Sequence, residues 1–231
     1  MALAAEGSAV AAVDRESPGL DAVSHALRST GAAVHPRLTD LSHLDRVPDI
    51  VPDVVRALGR VDHLVNCAGI TGHAGSILEP DLAAWDAVYD VNLKAPLILM
   101  HSFARHVSDR GGGGRIVNVV SSSAFRARSS QIAYGSSKAA LVQLTRSAAA
   151  ELGSLDINVN AVAPGLTRSG ITAPMGEDTL RQLASGDGPL GNLLGRVADP
   201  EDVASVITFL CQRASRQITG QTVHTSAGAV I

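Results

Sequence analysis

A tyrosine and a lysine four residues apart are the residues of this chain best suited to acid–base chemistry. Tyr134 and Lys138 fall in a segment predicted as helix, where positions i and i+4 share one face. An ammonium group beside a phenol favours the phenolate and lowers the tyrosine pKa from about 10. Tyr134 is therefore a candidate general acid or base for a hydroxyl or carbonyl group. The pair follows an apolar strand, predicted from Ile116 to Val120, that runs into Ser121.

Small or polar residues stand at the carboxyl ends of five predicted strands. Strands and helices alternate along the chain, which predicts an α/β fold: a doubly wound parallel sheet with helices on both faces, in three layers. In such sheets ligands bind outside the carboxyl ends of the strands, so we expect these residues to line one crevice. They are Asp14, Asp40, Asn66 to Gly69, Ser121, and Pro164 to Thr167.

The remaining elements follow from apolar runs, turn residues and caps. The expected strands are Ser8 to Val13, Ala32 to Leu38, Val61 to Val65, Ile116 to Val120, Ile157 to Val162, and Thr222 to His224. The expected helices run from an N-cap at Ser17 to Gly31, from Pro52 to Leu58, from Pro80 to Arg110 with an interruption at Asn92 to Pro96, across Tyr134, and from Asp199 to Cys211. Residues 168–195 are rich in Gly and Pro around a short helical piece, which predicts a mobile lid.

Composition excludes several classes of protein. The 231 residues suit one domain spanning 1–231, and the net charge of −3 gives no electrostatic reason to bind nucleic acid. No apolar run approaches the roughly 20 residues that span a bilayer. Two separated cysteines and eight scattered histidines indicate neither a disulfide framework nor a metal site. We expect a soluble, cytoplasmic protein without nucleic-acid or membrane partners.

Four motifs in order resemble those of the short-chain dehydrogenase/reductase family, over nearly the whole chain from Val10 onward. NCAG is similar to the family's NNAG, Asn92 in DVNLKAP to its catalytic asparagine, NVVS…YGSSK to its serine and YxxxK, and NAVAPGLTRS to the segment that receives the nicotinamide. The resemblance implies a Rossmann-like fold and hydride transfer between a nicotinamide cofactor and a secondary alcohol or ketone of a small molecule. It also implies a homodimer or homotetramer, formed through the helices of Asn92 and Tyr134. The Ala- and Leu-rich outer faces expected there (Leu141, Leu144, Ala148) suit close helix packing.

The resemblance also implies a role for each matching residue. Tyr134 is the acid/base, Lys138 lowers its pKa and holds the nicotinamide ribose, and Asn92 holds a water that relays protons to Lys138. Ser121 hydrogen-bonds the reacting oxygen; it is chosen over its neighbours because it lies thirteen residues before Tyr134, the family's spacing. Two fixed donors at one oxygen stabilise the alkoxide that develops during hydride transfer.

The implied cofactor residues lie at the strand ends. Asp14 matches the adenosine ribose site, where a carboxylate favours NAD over NADP; a helix-capping or solvated aspartate is the alternative, and Arg15 next to it would tolerate a phosphate. The other matches are Asp40 and Leu41 at the adenine, Cys67, Ala68 and Gly69 in the ribose loop, and Tyr134, Lys138, Pro164, Gly165 and Thr167 at the nicotinamide end.

Three arginines lie on loops near these residues. Arg126 and Arg128 follow the catalytic serine, and Arg168 follows Pro164-Gly165. One interpretation is an arginine that holds an anionic substrate. The other, which we favour, is solvated loop residues.

The sequence departs from the family at its beginning. The family starts with a strand and a TGxxxGxG turn whose helix N-terminus cradles the pyrophosphate, whereas Met1 to Gly7 are predicted as the tail of the helix after that turn. We therefore expect an N-terminally truncated sheet, without its central strand between the Ser8 and Val61 strands. An open slot leaves backbone groups unpaired. Either the flanking strands pair directly, another chain fills the slot, or the natural protein has a preceding segment.

This departure leaves two other classes of function open. One is a cofactor-free enzyme that uses Tyr134, Lys138 and Ser121 for proton transfer in isomerisation, dehydration or cyclisation. The other is a non-catalytic homologue that serves as an assembly partner, against which the four matching groups argue. The expected cofactor is NAD, with NADP disfavoured, or no dinucleotide at all.

Overall fold

Strands and helices alternate in the computed structural model, which describes residues 1–129 and 131–231. The strands are β1 (Val10–Asp14), β2 (Val34–Leu38), β3 (His63–Asn66), β4 (Gly114–Val119), β5 (Ile157–Pro164) and β6 (Thr222–Thr225). The α-helices are α1 (Ala2–Ala5), α2 (Ser17–Ser29), α3 (Ile50–Leu58), α4 (Leu82–Tyr89), α5 (Ala95–Asp109), α6 (Ile132–Leu152), α7 (Glu177–Ala184) and α8 (Pro200–Cys211). Six expected strands are thus confirmed within a few residues. None of the described helices is long and apolar enough to cross a membrane.

The strands form two parallel sheets rather than one. β1 pairs with β2, and the second sheet has the order β3-β4-β5-β6. Direct pairing of β1 with β3, one of the three expected outcomes, is not observed in the described chain. A cavity of about 580 Å³ lies between these two strands instead.

Apolar side chains cover both faces of the larger sheet. Ile116 and Val117 are neighbours on β4, both buried, and point to opposite faces. Ile116 packs with Phe103 of α5 in one apolar cluster, and Val117 packs with Leu210 of α8 in another. The expected α/β/α layering, with a Rossmann-like parallel arrangement, is confirmed.

The long helix predicted from Pro80 to Arg110 is interrupted near the expected place. α4 and α5 are joined by a π-helical segment, Asp90–Lys94. A π turn widens the helix by one residue and is common at functional sites. Here the widened turn carries Asn92, whose side chain is fully buried.

Two local expectations were wrong. The N-cap of α2 is Glu16 rather than Ser17, and the Ser17 hydroxyl donates to the Asp21 carboxylate at 3.0 Å. Leu141 does not lie on an outer face of α6: it is 1% exposed and packs against Val120 and Ala161. The buried residues of α6 recur every three or four positions from Ala133 to Ala149, so Leu141 belongs to the stripe that faces the sheet.

Candidate active site

Tyr134 and Lys138 lie on the first turns of α6, beside the carboxyl end of β4. Lys138 is only 3% exposed, and its Nζ donates a hydrogen bond to the Val119 carbonyl oxygen at 2.9 Å. Burial lowers the pKa of Lys138 to about 8, with the nearby Cys67 acting in the opposite direction. The lysine therefore titrates close to neutral pH, which is unusual for an amine and typical of functional sites.

The pKa of Tyr134 is raised by burial rather than lowered by Lys138. The Ser121 hydroxyl beside it and the charge of Arg128 lower the pKa, but burial outweighs them. Lys138 Nζ is 5.9 Å from the centre of the tyrosine ring and is directed to a backbone carbonyl. The expectation of a lowered tyrosine pKa thus does not hold for the protein by itself, because sequence spacing places the lysine on the right face but does not show how buried the phenol is.

Ser121 is held at the end of β4 by its own backbone neighbours. It is 9% exposed and N-caps the short 3₁₀ turn Ser122–Ala124, where its hydroxyl oxygen accepts the Ser123 N–H at 3.1 Å. This bond leaves the hydroxyl hydrogen free to donate.

Asn92 is fixed by three hydrogen bonds. Its Oδ1 accepts the Ile70 N–H and its Nδ2 donates to the Ile70 carbonyl, both at 2.9 Å. Nδ2 also donates to Ser137 Oγ on α6, at 3.1 Å. The amide therefore links the loop after β3 to the helix that carries Tyr134 and Lys138.

Gly69 leaves room for the two polar side chains that flank it. A methyl group built on Gly69 would stand 3.2 Å from both Asn92 Oδ1 and Lys138 Nζ. Any larger residue would crowd the space between them. The NCAG glycine is thus explained by close approach of side chains, since its φ is not in the left-handed region.

The candidate adenosine residues lie at the carboxyl ends of β1 and β2. The exposed Asp14 accepts the Glu16 N–H on Oδ1 at 3.0 Å, which orients its carboxylate. Asp40 accepts the Ser42 N–H at 2.9 Å, and this hydrogen bond is the largest cause of its lowered pKa. Leu41 is half-buried and packs into the apolar cluster of α3 and α5, so only part of it can contact a ligand.

The remaining candidate residues lie at the ends of β3 and β5. Cys67 and Ala68 are exposed, and they line the mouth of the cavity between β1 and β3. Pro164 ends β5, and Gly165 donates its N–H to the Thr225 carbonyl at 3.2 Å. Thr167 donates its hydroxyl to the Gly165 carbonyl at 3.2 Å. The candidate site residues therefore all lie at strand ends or on the helices beside them.

The Arg168 guanidinium is occupied by two carboxylates of the protein, so it is neither a solvated loop residue nor free to hold an anionic substrate. It makes a bidentate pair with Glu177, with Nη2–Oε1 at 2.6 Å and Nε–Oε2 at 3.0 Å, and a second pair with Asp199 at 2.9 Å. It thus ties the loop after β5 to α7 and to the N-cap of α8. Arg126 donates to the Gly191 carbonyl at 3.2 Å, and burial lowers the pKa of Arg128.

One buried polar network was missed by sequence reasoning. Asn66 Nδ2 donates to Asn118 Oδ1 at 2.8 Å, and Asn118 Nδ2 donates to Thr145 Oγ1 at 2.9 Å. The network joins β3, β4 and α6 behind the site. An asparagine inside the apolar run Ile-Val-Asn-Val-Val was the available signal, because buried polar side chains need partners.

No group of His, Cys, Asp or Glu within residues 1–129 and 131–231 has the arrangement of a metal site. The polar groups present are instead a phenol, an amine, a hydroxyl and an amide. Such a set moves protons and stabilises a developing oxyanion.

Comparison with known proteins identifies the relatives of this chain. The family model described as Enoyl-(Acyl carrier protein) reductase matches residues 1–230. The short-chain reductase protein NovJ of Streptomyces niveus is 35% identical over 232 residues, covering 98% of this chain and 86% of NovJ. The 3-oxoacyl-[acyl-carrier-protein] reductase FabG of Thermotoga maritima is 35% identical, covering 99% of this chain and 90% of FabG.

Solved structures of nicotinamide-binding proteins have the same fold as this chain. The NAD⁺-bound xylitol dehydrogenase superposes with a TM-score of 0.88 at 26% identity, covering 98% of this chain and 91% of that one. A blue fluorescent protein from a metagenomic library, in complex with NADPH, superposes with a TM-score of 0.87 at 27% identity. The match covers 100% of this chain and 91% of that protein. Fold, site and relatives together define a nicotinamide-linked oxidoreductase of the α/β class. The chain belongs to the short-chain dehydrogenase/reductase family.

The residues present fit a nicotinamide dinucleotide at its two ends. Gly69 lets the loop after β3 approach Asn92 and Lys138 closely, and the exposed Asp14 carboxylate stands at the end of β1. A ribose with neighbouring hydroxyls suits both an amine and a carboxylate as hydrogen-bond partners. Between these ends the cavity separates β1 from β3. The residues present therefore match the riboses and the nicotinamide better than they match the pyrophosphate.

Proposed function

We propose that this enzyme transfers hydride between NAD(H) and a secondary alcohol or ketone of a small molecule. The observation that carries the proposal is the grouping of Lys138 and Asn92 beside Gly69, with Tyr134 next to Lys138 and Ser121 next to Tyr134. Each side chain comes from a different part of the chain or a different helical turn, and each is fixed by contacts of its own. When bound, the nicotinamide supplies or accepts the hydride.

Tyr134 and Ser121 act on the reacting oxygen. In reduction the Tyr134 hydroxyl gives its proton to the carbonyl oxygen; in oxidation the phenolate takes the proton from the alcohol. Because burial raises the pKa of Tyr134, the protein by itself holds the protonated form, which suits the acid role at neutral pH. Ser121 donates its hydroxyl hydrogen to the same oxygen and shares its developing charge.

Lys138 and Asn92 complete the proton path. The Lys138 amine has a pKa of about 8, so it exchanges protons readily near neutral pH and can restore the proton that Tyr134 gives up. Asn92 holds the Ile70 loop against α6 through its three hydrogen bonds. In this proposal, water beside Asn92 links Lys138 to solvent.

We assign NAD rather than NADP as the preferred cofactor. The exposed Asp14 carboxylate at the end of β1 would accept hydrogen bonds from a ribose 2′-hydroxyl and repel a 2′-phosphate. The adjacent Arg15 stays beside Glu16, with Nε–Oε1 at 3.7 Å, and both side chains are more than half exposed. Asp14→Ser should shift the preference toward NADP, because it removes the repelling charge.

The proposed substrate is a small molecule, and the proposed working form is a homodimer or homotetramer. Relatives named for reducing 3-oxoacyl groups and for oxidising xylitol support a carbonyl or secondary alcohol as the reacting group. Large apolar side chains on α4 and α5, Leu82 and Leu97, are at least half exposed and support contact with a second copy. Light scattering on the purified protein measures the assembly.

Titration of NADH, followed by cofactor fluorescence and calorimetry, tests the proposal. Saturable NADH binding together with NAD-dependent oxidation in a panel of secondary alcohols would support it. A protein that binds neither dinucleotide, yet converts a substrate in a Tyr134-dependent way, would contradict it in favour of proton-transfer catalysis without a cofactor. The Asp14→Ser variant, titrated in parallel with NADPH, tests the cofactor assignment.

A further inference from the structure

We propose that the substrate carries a carboxylate that binds the guanidinium group of Arg128, while the reacting carbonyl or hydroxyl group of the same molecule lies at Tyr134. This inference rests on the proposed hydride transfer and names its substrate class as oxo acids and the matching hydroxy acids. The evidence lies in the position of Arg128, in the charges around it and in the way its loop is held.

Arg128 lies on the loop that joins the two groups proposed to act on the reacting oxygen. This loop leads from Ser121, just after β4, to Tyr134 on α6, and Arg128 is half-buried in it. Burial raises the pKa of Tyr134, and the Ser121 hydroxyl and the Arg128 charge oppose that rise. A charge acts on another group in this way only at short range, because water and salt screen it over distance. The guanidinium group of Arg128 therefore lies near the phenol.

No carboxylate in the part of the chain that the structure describes compensates the charge of Arg128. Its guanidinium group belongs to none of the ion pairs formed there. Arg110, which is also half-buried, pairs with Asp62 at 2.6 Å. Covering a cation without a counter-ion costs free energy. The interpretation of Arg128 as a solvated loop residue is therefore replaced by that of a cation suited to an external anion.

A second arginine adds to the positive charge. Burial and the charge of Arg126 both lower the pKa of Arg128, and a bound anion would oppose both effects. The two arginines line a cavity of about 410 Å³ between their loop and the first turns of α6. Because Arg128 lines this cavity and also acts on Tyr134, it lies between the cavity and the phenol. A molecule of a few carbon atoms can then contact Arg128 with one end and Tyr134 with the other.

The loop that carries Arg128 is held on both sides of this residue. Arg126 Nη1 donates to the Gly191 carbonyl oxygen at 3.2 Å, and Ser123 Oγ donates to Gln131 Oε1 at 3.3 Å. These contacts restrain the loop before a ligand arrives, so less conformational entropy is lost on binding.

A carboxylate matches Arg128 better than a neutral group or a phosphate dianion. Two parallel N–H groups of one guanidinium fit the two oxygens of a carboxylate. Because Arg126 already donates to the Gly191 carbonyl, a single negative charge balances the remaining guanidinium. A neutral substrate would cover Arg128 without pairing it.

The carboxylate takes no part in the chemical step. In the reduction of an oxo acid, NADH gives its hydride to the carbonyl carbon and Tyr134 gives its proton to the carbonyl oxygen. The products are NAD⁺ and the hydroxy acid, with the carboxylate unchanged. Its role is to place the carbonyl group through Arg128.

Reduction of matched acids and esters by the full chain tests the inference. The probes are 2-, 3- and 4-oxopentanoate, each beside its methyl ester, with saturating NADH whose absorbance is followed. The ester keeps the carbon skeleton and removes the charge, and the series varies the distance from carboxylate to carbonyl. We expect the wild type to prefer the acid by about tenfold or more in kcat/KM for at least one member of the series.

Three variants show whether Arg128 is the source of this preference. In Arg128→Gln the ratio of kcat/KM for acid over ester should fall to about one, because the pairing cation is lost. Arg128→Lys keeps the charge without the fork of N–H groups and should retain part of the ratio. Arg28→Gln removes the same charge from the exposed last turn of α2 and should keep the full ratio.

Calorimetry with pentanoate gives a readout that does not need turnover, because this acid has no ketone to reduce. We expect binding to the wild type with a Kd on the order of 1 mM, at least about tenfold weaker in Arg128→Gln. Arg128-dependent binding of pentanoate by a protein that reduces none of the probes would uphold the anion site and refute the hydride transfer.

Three results would overturn the inference. The first is equal reduction of acid and ester by the wild type, which would leave the proposed hydride transfer intact. The second is an acid preference that persists in Arg128→Gln. The third is pentanoate that does not bind, or that binds equally well to the wild type and to Arg128→Gln.

Discussion

The side-chain nitrogen of Lys138 donates a hydrogen bond to the backbone carbonyl of Val119, 2.9 Å away, in a site where the lysine is 3% exposed. Burial penalises the charged amine and lowers its pKa to about 8. The lysine is thus held in the folded protein at an energetic cost. A residue retained at such a cost is expected to serve activity rather than stability.

Replacing Lys138 by Met should stabilise the protein while abolishing turnover. The shift from 10.5 to about 8 corresponds to a penalty on the order of 3 kcal/mol, and the lost hydrogen bond to Val119 offsets about 1 kcal/mol. We expect the melting temperature at pH 7 to rise by about 6 °C and turnover to fall at least about 100-fold.

The stability that Lys138→Met adds should decrease as the pH rises. The folded pKa of Lys138 lies below its unfolded value, so the unfolded chain binds more protons between pH 8 and 10.5, and wild-type stability rises over that window. The advantage of Lys138→Met should be full below pH 8 and fade by pH 10.5. Lys94→Met, at the other lysine of the chain, removes an exposed pair with Asp90 and should bring no gain. A destabilised Lys138→Met with a pH-independent deficit would contradict this account.

Gly69→Ala should impair catalysis without unfolding the protein. The added methyl group would stand 3.2 Å from Asn92 Oδ1 and Lys138 Nζ and push these atoms apart. A misplacement of this size in a catalytic group lowers turnover by about 10- to 100-fold. Steady-state kinetics and circular dichroism check both parts.

Gly19→Ala is the matched control for this change. A methyl group at Gly19 in α2 would meet no atom within 4 Å and should leave turnover unchanged. Full activity of Gly69→Ala would show that the spacing of Asn92 and Lys138 is not critical.

The ionisation of Tyr134 can be measured directly. The chain has two tyrosines, and Tyr89 stacks on Trp85 at 5.2 Å between ring centres, so Tyr89→Phe leaves Tyr134 as the sole phenol without removing the stacked ring. Phenolate absorbance should then show a pKa above the ordinary value, because burial raises it. Adding Arg128→Gln should raise it further, since the Arg128 charge favours the phenolate. A pKa below 10 without cofactor would contradict the structure.

Arg168 should hold the segment around α7 in place through Glu177. The pair with Arg168 lowers the pKa of the Glu177 carboxyl to about 2, so the contact is fully present above pH 4.5 and is lost only as the pH falls through about 2. Glu177→Gln should therefore loosen α7 at every pH above about 4.5, seen as faster tryptic cleavage after Arg181 and a raised KM. Glu201→Gln, on the first turn of α8, is the control. Unchanged proteolysis of Glu177→Gln would show that the pair does not restrain α7.

Local patterns in the sequence predicted the strands and the place of the helix interruption. Asn92 and Pro96 indicated where the long helix is irregular, and the π segment Asp90–Lys94 contains Asn92 and ends just before Pro96. The apolar runs that end in polar residues predicted β4 and β5 because a buried strand needs continuous apolar residues. These features depend on neighbours in the sequence.

Features that depend on distant partners were not predictable in the same way. The Asn66–Asn118 hydrogen bond joins residues 52 positions apart. The ion pair of Arg168 with Asp199 joins residues 31 positions apart. The raised pKa of Tyr134 depends on how deeply the folded chain buries the phenol. Sequence spacing identified the tyrosine and lysine but not the electrostatic environment in which they lie.

The most direct test of the central claim is turnover by Tyr134→Phe, measured with NAD and an accepted secondary alcohol beside the wild type and Tyr89→Phe. Phenylalanine keeps the ring and removes only the hydroxyl that transfers the proton. The account predicts full activity in Tyr89→Phe and a loss of about 100-fold or more in Tyr134→Phe at saturating NAD. Equal turnover by the two variants would contradict the assignment of Tyr134 as the acid/base.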